Sequence, residues 1–318
     1  MFSKTSKIFV AGHRGLLGSA IMRRLESDGY GNIITRGRDE LDLTDAASVD
    51  AFFKAERPEF VFLAAGRTGG IIANIAYPSS FLHENISIQD NIFEAAERHG
   101  VERLIFYGSS CMYPKSSPQP IPEDSLLTGP VEKTSEPYAV AKIAGVVACR
   151  SYNNQYKSRR FISLVPNSIY GQNDNFNLES SHVMAGLIRR FHEAKAEGAS
   201  EIRLWGTGRP RREFLYADDA ASASVFAMLN ADMLENTHYN IGTGEDHSIA
   251  DIASIIARIV GYDGVIVWNA SKPDGALRKV LDSGRFSSIG WKPLVSLHDG
   301  IRTTYEWFLT SEYAKAHI

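Results

Sequence analysis

The sequence predicts an α/β fold, in which a doubly wound parallel sheet carries a smaller mixed α/β domain. Short apolar segments alternate with longer amphipathic segments through the first half of the chain, and this alternation is typical of βαβ units. The apolar segments are nearly continuous, as in strands that are covered on both faces. The first of them leads directly into a glycine-rich turn, the arrangement that opens a Rossmann-type sheet.

Each element of the first half follows from the period of its apolar residues. Short continuous apolar runs predict strands at residues 7–12, 32–36, 60–65, 103–110 and 161–166. Amphipathic runs between them predict helices at residues 16–29, 46–57, 80–98 and 136–156. Strand and helix therefore alternate in order from the N-terminus to residue 166.

The second half is less regular. Residues 170–177 are polar and predict a loop, followed by a helix at 182–197 and a strand at 202–206. Further helices are predicted at 218–229 and 249–260, with strands at 239–244 and 265–270 and charged loops at 206–214 and 271–279. This change of pattern predicts one domain at residues 1–169, with a return segment at about 214–242, and a second domain that is mainly residues 170–318.

Composition excludes several classes of protein. The chain has 318 residues, 44% of them apolar, with a net charge of −3 and a pI of about 6.3. This charge balance offers no basic surface for nucleic acid, and no apolar run is long enough to span a membrane. The N-terminal residues lack the apolar core of a signal peptide, and the two cysteines make no disulfide framework. We therefore expect a cytoplasmic protein with free thiols, and we find no histidine cluster with metal-ligand spacing.

The glycine-rich turn has the spacing G-x-x-G-x-x-G, at Gly12, Gly15 and Gly18. Glycines at these positions allow a tight turn and a close approach of the backbone to a pyrophosphate. The helix that follows presents free N–H groups to the anion. In its strand–turn–helix context, the motif predicts a dinucleotide site.

Basic residues indicate which dinucleotide binds. Nicotinamide sites specific for NAD usually have an acidic residue at the end of the second strand, but this sequence has Arg36 and Arg38 there, with Arg14 in the glycine turn. Guanidinium groups suit a ribose 2′-phosphate, so we predict NADP(H). Asp42 and Leu43 are expected to lie along the adenine. The alternative is that these arginines are ordinary surface residues, neutralised by the two carboxylates that follow them.

A tyrosine and a lysine in the segment YAVAK have the spacing of catalytic partners. Tyr138 and Lys142 are four residues apart on a predicted helix, so they share one face. An ammonium group beside a phenol is expected to lower the pKa of the phenol, which would make Tyr138 a usable proton donor. Ser109 ends an upstream strand and completes the group.

Together these residues resemble the extended short-chain dehydrogenase/reductase family, and most closely its GDP-L-fucose synthase branch. The resemblance runs from about Lys7 to the C-terminus. The matching stretches are AGHRG, TRGRDELDL, AAGRTGGIIAN, GSSCMYPK, EPYAVAKIAG, YGQNDNF, SHV, RRFHEA, RREF and ASKPDGALRK. It implies NADPH-dependent 3,5-epimerisation and 4-keto reduction of GDP-4-keto-6-deoxymannose. Ser109, Tyr138 and Lys142 would form the reductive triad.

The resemblance also gives Cys111 and His182 the acid–base roles of epimerisation. The chemistry is consistent with this, because the C–H bonds beside a ketone are acidified and a thiolate is a suitable base. Histidine titrates near neutral pH and can return the proton. The alternative is that Cys111 is a small buried apolar residue, the role we expect for Cys149.

Further contacts complete the predicted sites. Tyr138 and Lys142 are also expected to contact the cofactor, Lys142 at the nicotinamide ribose, and we place along it Leu16, Leu17, Ala64, Ala65, Gly66, Pro166, Asn167, Ser168, Ile169 and His182. The resemblance places Arg190, Trp205, Arg212 and Asp274 at the GDP-sugar, with Lys279 as a further candidate cation for the diphosphate. It also implies a homodimer, formed through helices at residues 85–98 and 138–156.

Three alternatives stay open or are disfavoured at this point. Family members tend to read P-T-N where this chain has Pro166, Asn167 and Ser168, and Lys-Val where it has Arg67 and Thr68. These differences allow a C4 reductase or an epimerase for a GDP-4-keto-6-deoxy-heptose. A non-catalytic NADP-binding regulator is a second alternative. Related 4,6-dehydratases carry an Asp-Glu pair after the catalytic serine or threonine, and this chain does not, so dehydration is disfavoured.

Overall fold

The computed structural model describes residues 2–272 and 274–315. The first half comprises β1 (Ile8–Ala11), α1 (Leu16–Ser27), β2 (Ile33–Ile34), α2 (Ala46–Glu56), β3 (Phe60–Leu63), α3 (Ile71–Ala76), α4 (Pro78–Arg98), β4 (Arg103–Tyr107), α5 (Glu136–Gln155) and β5 (Phe161–Pro166). Short 3₁₀ helices lie at Ser110–Met112, Glu123–Ser125 and Lys133–Ser135.

The second half has shorter strands. It comprises β6 (Ile169–Tyr170), α6 (Val183–Ala196), β7 (Glu201–Trp205), β8 (Arg211–Arg212), β9 (Leu215–Tyr216), α7 (Ala217–Leu229), β10 (His238–Ile241), β11 (His247–Ser248), α8 (Ile249–Val260), β12 (Val265–Asn269), β13 (Arg278–Lys279), α9 (Gly284–Ser287), α10 (Leu297–Thr310) and α11 (Glu312–Lys315). A 3₁₀ helix at Ala231–Met233 follows α7.

The predicted parallel sheet is confirmed. Six strands pair in the order β10-β5-β4-β3-β1-β2, and every pair is parallel. Side chains of β1 alternate between two cores: Ile8 and Val10 face the core that contains α1 and α7, while Phe9 and Ala11 face the core that contains α2, α4 and α5. Both faces of the sheet are therefore covered, which explains the nearly continuous apolar strands.

A third core lies under the second half. It is formed by apolar side chains of α6, α8 and α10, including Phe191, Ile256 and Phe308. The parallel pair β7–β12 and the three-stranded sheet β11-β8-β13 flank it. Residues 214–242 return to the main sheet, because α7 packs in its first core and β10 pairs with β5. No helix among the described residues is long and apolar enough to cross a membrane.

Several short elements differ from the sequence-based prediction. The two charged segments expected to be loops contain β8 and β13, and β2 is two residues long. Strands of two residues are too short to show an alternating pattern, so only their tertiary pairing identifies them. Helix α10 lies outside the predicted elements, although Ser296 caps it by accepting from the Asp299 N–H at 3.1 Å, a recognisable start signal.

The edge strand of the main sheet, β10, carries a buried imidazole. His238 of β10 is 3% exposed, and its Nε2 lies 3.1 Å from the hydroxyl of Tyr113, which donates to Asn240 Oδ1 at 2.6 Å. Within the described residues, His238 Nδ1 has no hydrogen-bond partner. Burial lowers the pKa of His238 to about 4, because a charged imidazolium would lose its hydration, and the positive charges of Arg150 and Arg285 act in the same direction.

We expect the free energy of unfolding to fall as the pH drops from 6.5 towards 4. The unfolded imidazole takes up a proton at about pH 6.5 and the folded one only at about 4, so His238 contributes about 3 kcal/mol above this window and loses it within the window. Urea titrations at several pH values measure the slope, which should be shallower in His238→Gln. The same change at exposed His298 is the matched control. An unchanged slope in H238Q would contradict the prediction.

Candidate active site

The glycine turn between β1 and α1 is shaped to receive a pyrophosphate. A Cβ atom on Gly12, which has a φ of 84°, would lie 2.7 Å from the backbone nitrogen of Ala65, and one on Gly18 would lie 2.1 Å from the carbonyl oxygen of Gly12. The turn therefore packs directly against the end of β3, at the predicted contacts Ala64 and Ala65. The first N–H groups of α1 have no acceptor within the helix, so a dinucleotide phosphate fits this turn.

Other predicted residues of this turn support the helix rather than the groove. Gly15 is the exposed N-cap of α1, and its N–H donates to the Gly12 carbonyl at 3.0 Å. The side chains of Leu16 and Leu17 are half-buried against the first core. Their backbone N–H groups, which lie in the first turn of α1, are the parts that can face a phosphate.

The three arginines predicted to bind the ribose phosphate have different surroundings in the structure. Arg36 donates to Glu56 of α2 at 2.6 Å and to the Thr35 carbonyl at 2.8 Å, so it points away from the glycine turn. Arg14 and Arg38 are exposed, and the ion pair of Arg38 with Glu84 is long, at 3.8 Å. A guanidinium nitrogen of Arg14 lies 3.2 Å from where a Cβ on Gly37 would stand. Arg14 thus reaches the end of β2, where the ribose phosphate is expected.

The two residues predicted to line the adenine have different surroundings. Asp42 is exposed and accepts from the Thr44 N–H at 2.9 Å and the Thr44 hydroxyl at 2.8 Å. These hydrogen bonds lower the pKa of Asp42. Leu43 is half-buried against the second core, and its carbonyl accepts from Asn91 at 3.0 Å.

Helix α5 carries the predicted tyrosine and lysine to the end of β4. Lys142 is buried, and its Nζ donates to the Tyr107 carbonyl at 2.9 Å and stands 5.8 Å from the centre of the Tyr138 ring. Burial lowers the pKa of Lys142 to about 8. A Cβ on Gly66 would lie 3.8 Å from Lys142 Nζ, so the exposed loop after β3 borders this ammonium group.

The expected effect on the tyrosine was wrong. Burial raises the pKa of Tyr138 above its ordinary value and nearby Cys111 adds to the rise, while a hydrogen bond with Ser109 opposes both. The buried ammonium of Lys142, which is occupied by the Tyr107 carbonyl, does not offset the burial. Tyr138 is therefore a neutral phenol at neutral pH, a form that can donate a proton.

Cys111 lies beside Ser109 in the turn after β4. Ser109 caps the 3₁₀ helix Ser110–Met112, and its Oγ accepts from the Cys111 N–H at 3.3 Å. Lys279 of β13 places its Nζ 3.6 Å from Cys111 Sγ. Burial raises the pKa of Cys111, but the Lys279 charge and hydrogen bonds with Ser109, Lys279 and Ser135 outweigh it, so the pKa lies below its ordinary value.

The other cysteine differs sharply. Cys149 lies within the second core, and burial raises its pKa to about 12. It is an inert core residue, as expected. Lys279 was named from the sequence only as a candidate for the diphosphate. Its charged loop gave a signal for a cation but none for a thiol partner 168 positions away.

His182 is carried towards this region by a contact between two loops. The Gly70 N–H donates to the Ser180 carbonyl at 3.2 Å, which fixes the segment before α6 against the loop after β3. His182 is the N-cap of α6, and part of its surface is exposed to solvent. The surrounding protein desolvates the ring and lowers the pKa of His182, so the imidazolium form must be generated against this shift.

The segment after β5 shows a use of Asn167 that the sequence did not predict. Its side chain is buried and donates to Glu213 Oε2 at 3.0 Å and to the Lys279 carbonyl at 3.1 Å, and its Oδ1 accepts from the Ser168 N–H at 3.1 Å. The Asn167 amide is therefore already engaged. Cofactor contacts were predicted for Pro166, Asn167, Ser168 and Ile169. The groups available for them are the backbone of this segment and the half-buried side chains that flank Asn167.

The residues predicted for the GDP-sugar gather largely on two adjoining loops. Arg212 of β8 is the register partner of Lys279 in β13, and it donates to the Ala276 carbonyl at 2.6 Å. Asp274 accepts from the Thr207 N–H at 2.9 Å and from its hydroxyl at 2.6 Å. This contact ties the loop after β7 to the segment before β13.

Trp205 and Arg190 complete the set. Trp205 ends β7 with 59% of its surface exposed, and Lys272 Nζ stands 5.4 Å from its ring centre. Arg190 is half-buried on α6 and borders a shallow depression with Glu193 and Arg203. Among residues 2–272 and 274–315, no group of three or more histidine, cysteine or acidic residues could hold a metal ion.

Comparison with known proteins identifies the family. The model of the NAD dependent epimerase/dehydratase family matches residues 8–242. GDP-L-fucose synthase 1 of Arabidopsis thaliana is 50% identical over 309 residues, which cover 97% of this chain and 95% of that protein. GDP-L-fucose synthase of Escherichia coli (strain K12) is 49% identical over 313 residues, with coverage of 96% and 97%.

A solved structure gives the same fold. The GDP-mannoheptose C4 reductase from Campylobacter jejuni with NADP bound superposes with a TM-score of 0.90 and 38% identity, covering 97% of this chain and 99% of the other. The chain belongs to the NAD dependent epimerase/dehydratase family. Its similarity to members of the GDP-L-fucose synthase branch extends over nearly the whole chain.

The separation of the arginines predicts different effects on cofactor choice. Arg14→Ala or Arg38→Ala should each raise the Kd for NADPH by about tenfold to a hundredfold and leave NADH binding nearly unchanged, as expected for losing one hydrogen bond to a charged group. Arg36→Ala should have a much smaller effect, because Arg36 is paired with Glu56. Fluorescence titration with both cofactors measures the two constants. A large loss of NADPH affinity in R36A alone would contradict this assignment.

Proposed function

We propose that this chain catalyses the NADPH-dependent 3,5-epimerisation and 4-keto reduction of GDP-4-keto-6-deoxy-D-mannose to GDP-L-fucose. The main structural support is the contact of Lys279 Nζ with Cys111 Sγ at 3.6 Å, beside Ser109 and near Tyr138. It sets a thiol with a lowered pKa beside a neutral phenol with a raised one. The relatives at about half identity over nearly the full length support the same function.

Epimerisation requires a base and an acid at the carbon atoms beside the ketone. The Cys111 thiolate would take the proton from the C–H bond, and the lowering of the Cys111 pKa below its ordinary value favours this form. His182, which follows the segment held against the loop after β3, would return a proton from the opposite face. The enolate oxygen that forms between these steps would be stabilised by Tyr138 and Ser109.

The residues proposed for reduction all lie between positions 109 and 142 of the chain. Bound NADPH supplies the hydride that adds to C4. Tyr138 donates its phenolic proton to the carbonyl oxygen, and its raised pKa keeps that proton in place until it is needed. Ser109 orients the carbonyl group. Lys142, next to the loop of Gly66, would hold the nicotinamide ribose.

The second half of the chain would hold the sugar nucleotide. Arg212 and Arg190 would neutralise the diphosphate, Trp205 would stack on the guanine or cover the sugar, and Asp274 would accept a hydrogen bond from the ligand. The proposal keeps the division expected from the sequence, with residues 1–169 and a return segment at 214–242 binding the cofactor and residues 170–318 mainly binding the sugar nucleotide.

A second candidate is C4 reduction of a GDP-4-keto-6-deoxy-heptose. The structural likeness to a GDP-mannoheptose C4 reductase favours it. So does the pair Arg67–Thr68, which stands where the family pattern has Lys-Val; Arg67 binds Glu84 at 2.7 Å. Proton exchange with solvent distinguishes the two reactions, because a pure reductase never breaks a C–H bond beside the ketone.

We also propose a homodimer that forms through α4 and α5. Ile86 of α4 is 37% exposed and Val140 of α5 is 43% exposed. Ile143 and Val147 of α5 are half-buried, and Ala144 is exposed. These side chains give the two helices an apolar outer face, which supports a four-helix contact between two copies.

A cytoplasmic location is the corresponding proposal for the compartment. The chain has two cysteines, and both are free thiols in the structure. A reducing compartment keeps such thiols reduced, which Cys111 needs in order to act as a base. The proposed cofactor and sugar nucleotide are also consistent with this compartment.

Incubation with NADPH in D2O tests the reaction. We expect GDP-4-keto-6-deoxy-D-mannose to become GDP-L-fucose with deuterium at both C3 and C5, as observed by proton NMR. Cys111→Ala should abolish the exchange and retain NADPH binding, because only the base is removed. Cys149→Ala, which removes the thiol in the core, is the matched control and should retain exchange.

Other outcomes point elsewhere. Reduction of the heptose counterpart without exchange would support the second candidate. Binding of NADPH with no reaction of either sugar nucleotide would indicate a non-catalytic regulator and overturn the proposal. Normal exchange in C111A would remove Cys111 from the mechanism.

The dimer proposal has its own test. Ile86→Glu combined with Ala144→Glu places charges on the apolar face, so the protein should change from dimer to monomer in light scattering coupled to gel filtration. Leu309→Glu changes an exposed leucine on α10 and should leave the mass unchanged. A wild-type protein that is monomeric at micromolar concentration would contradict the proposal.

A further inference from the structure

We propose that Lys279 is the positioning residue that holds Cys111 in its ionised form, so that the segment next to the sugar-nucleotide loops also prepares the base for proton removal. This inference rests on the proposed function, since it assigns a task within the epimerisation. It differs from the role in diphosphate binding for which Lys279 was a candidate from the sequence.

The groups around the thiol favour this assignment. Lys279 Nζ contacts Cys111 Sγ at 3.6 Å. Ser109 and Ser135 contribute hydroxyl groups, and Tyr138 of α5 contributes a phenol that burial keeps neutral. Hydroxyls stabilise a thiolate by hydrogen bonding, but Lys279 also supplies a full positive charge. That charge favours the thiolate over the neutral thiol.

The backbone of Lys279 is fixed from two sides. Its carbonyl accepts from Asn167 Nδ2 at 3.1 Å and from the Glu213 N–H at 3.2 Å. Asn167 follows β5 and Glu213 follows β8, so β13, which is a strand of the three-stranded sheet, is also tied to the end of the main sheet through Asn167. The start of the lysine side chain is therefore set by the fold rather than by a mobile loop.

The two partners are also joined through the segments that follow them. After Cys111 the chain reaches Ile121, whose N–H donates to the Val280 carbonyl at 2.9 Å and whose carbonyl accepts from the Asp282 N–H at 2.9 Å. Buried Asn240 donates to the carbonyls of Ile121 at 2.9 Å and Asp282 at 3.0 Å. It also accepts from the Tyr113 hydroxyl at 2.6 Å.

The position of Lys279 beside Cys111 is therefore determined by the fold. A lysine that served only the diphosphate would be expected to point to the same ligand as Arg212, its register partner in β8. Instead, Arg212 turns to the Ala276 carbonyl and Lys279 turns to the thiol. The structure thus assigns the two cations to different partners.

The test measures the thiol directly and needs no sugar nucleotide. The rate of Cys111 alkylation by iodoacetamide is followed by mass spectrometry across a range of pH in wild type, Lys279→Met, Lys279→Gln and Lys279→Arg. We expect the midpoint of the rate profile to move to higher pH in K279M and K279Q, with alkylation several-fold slower at pH 7. K279R should stay close to wild type, because it keeps the charge.

Lys115→Met is the matched control. Lys115 belongs to the same GSSCMYPK segment as Cys111, but it pairs with Glu132 at 2.9 Å on the surface. Its loss should leave the alkylation midpoint unchanged. Circular dichroism of each variant checks the fold, and buried Cys149 is expected to stay unmodified in folded protein.

An unchanged alkylation profile in both K279M and K279Q would overturn the inference. If a large increase in the KM for the sugar nucleotide accompanied that unchanged profile, Lys279 would be a ligand of the diphosphate instead. Failure of the proposed function looks different, because the profile would still shift in K279M while wild-type protein exchanged no protons with solvent.

Discussion

The buried carboxylate of Glu213 joins the two halves of the molecule, and the geometry of the site depends on it. Glu213 is fully buried and accepts from Asn167 Nδ2 at 3.0 Å, the Leu281 N–H at 3.0 Å and the Gly244 N–H at 2.7 Å. Burial raises the pKa of Glu213, and these hydrogen bonds act in the opposite direction. A buried carboxylate is tolerated only with such partners, so the segments after β5, β10 and β13 are held together at one point.

The contacts of Glu213 bring together two groups whose pKa values are shifted in opposite directions. The residues proposed for reduction come from α5 and from the turn after β4 in the first half, while Lys279 comes from β13 of the second. Tyr138 is kept protonated by burial, and Cys111 is driven towards its thiolate by the lysine. Two groups whose environments shift their pKa values in opposite directions can serve as acid and base at the same pH. This difference gives a physical basis to the proposal that one site serves both reactions.

The sequence allowed the sheet and the motif residues to be predicted because their signals are local. The apolar strands of the main sheet and the glycine turn are each specified within a few residues. Two-residue strands such as β13 are defined only by their partners, and the pairing of Arg36 with Glu56 depends on where α2 packs. The raised pKa of Tyr138 was missed for a related reason, since burial is a property of the whole fold and outweighs the nearby lysine.

The two proposed reactions therefore depend on different kinds of contact. Ser109, Tyr138 and Lys142 lie within one continuous stretch, and their arrangement needs only β4 and α5 to pack together. The base needs a contact across 168 positions, supported by Asn167, Glu213 and Asn240. A substitution in the second half can thus weaken epimerisation while the reductive residues keep their places. Chains of this fold could in this way retain reduction of a keto sugar and lose inversion of its neighbouring carbons, with the cofactor domain unchanged.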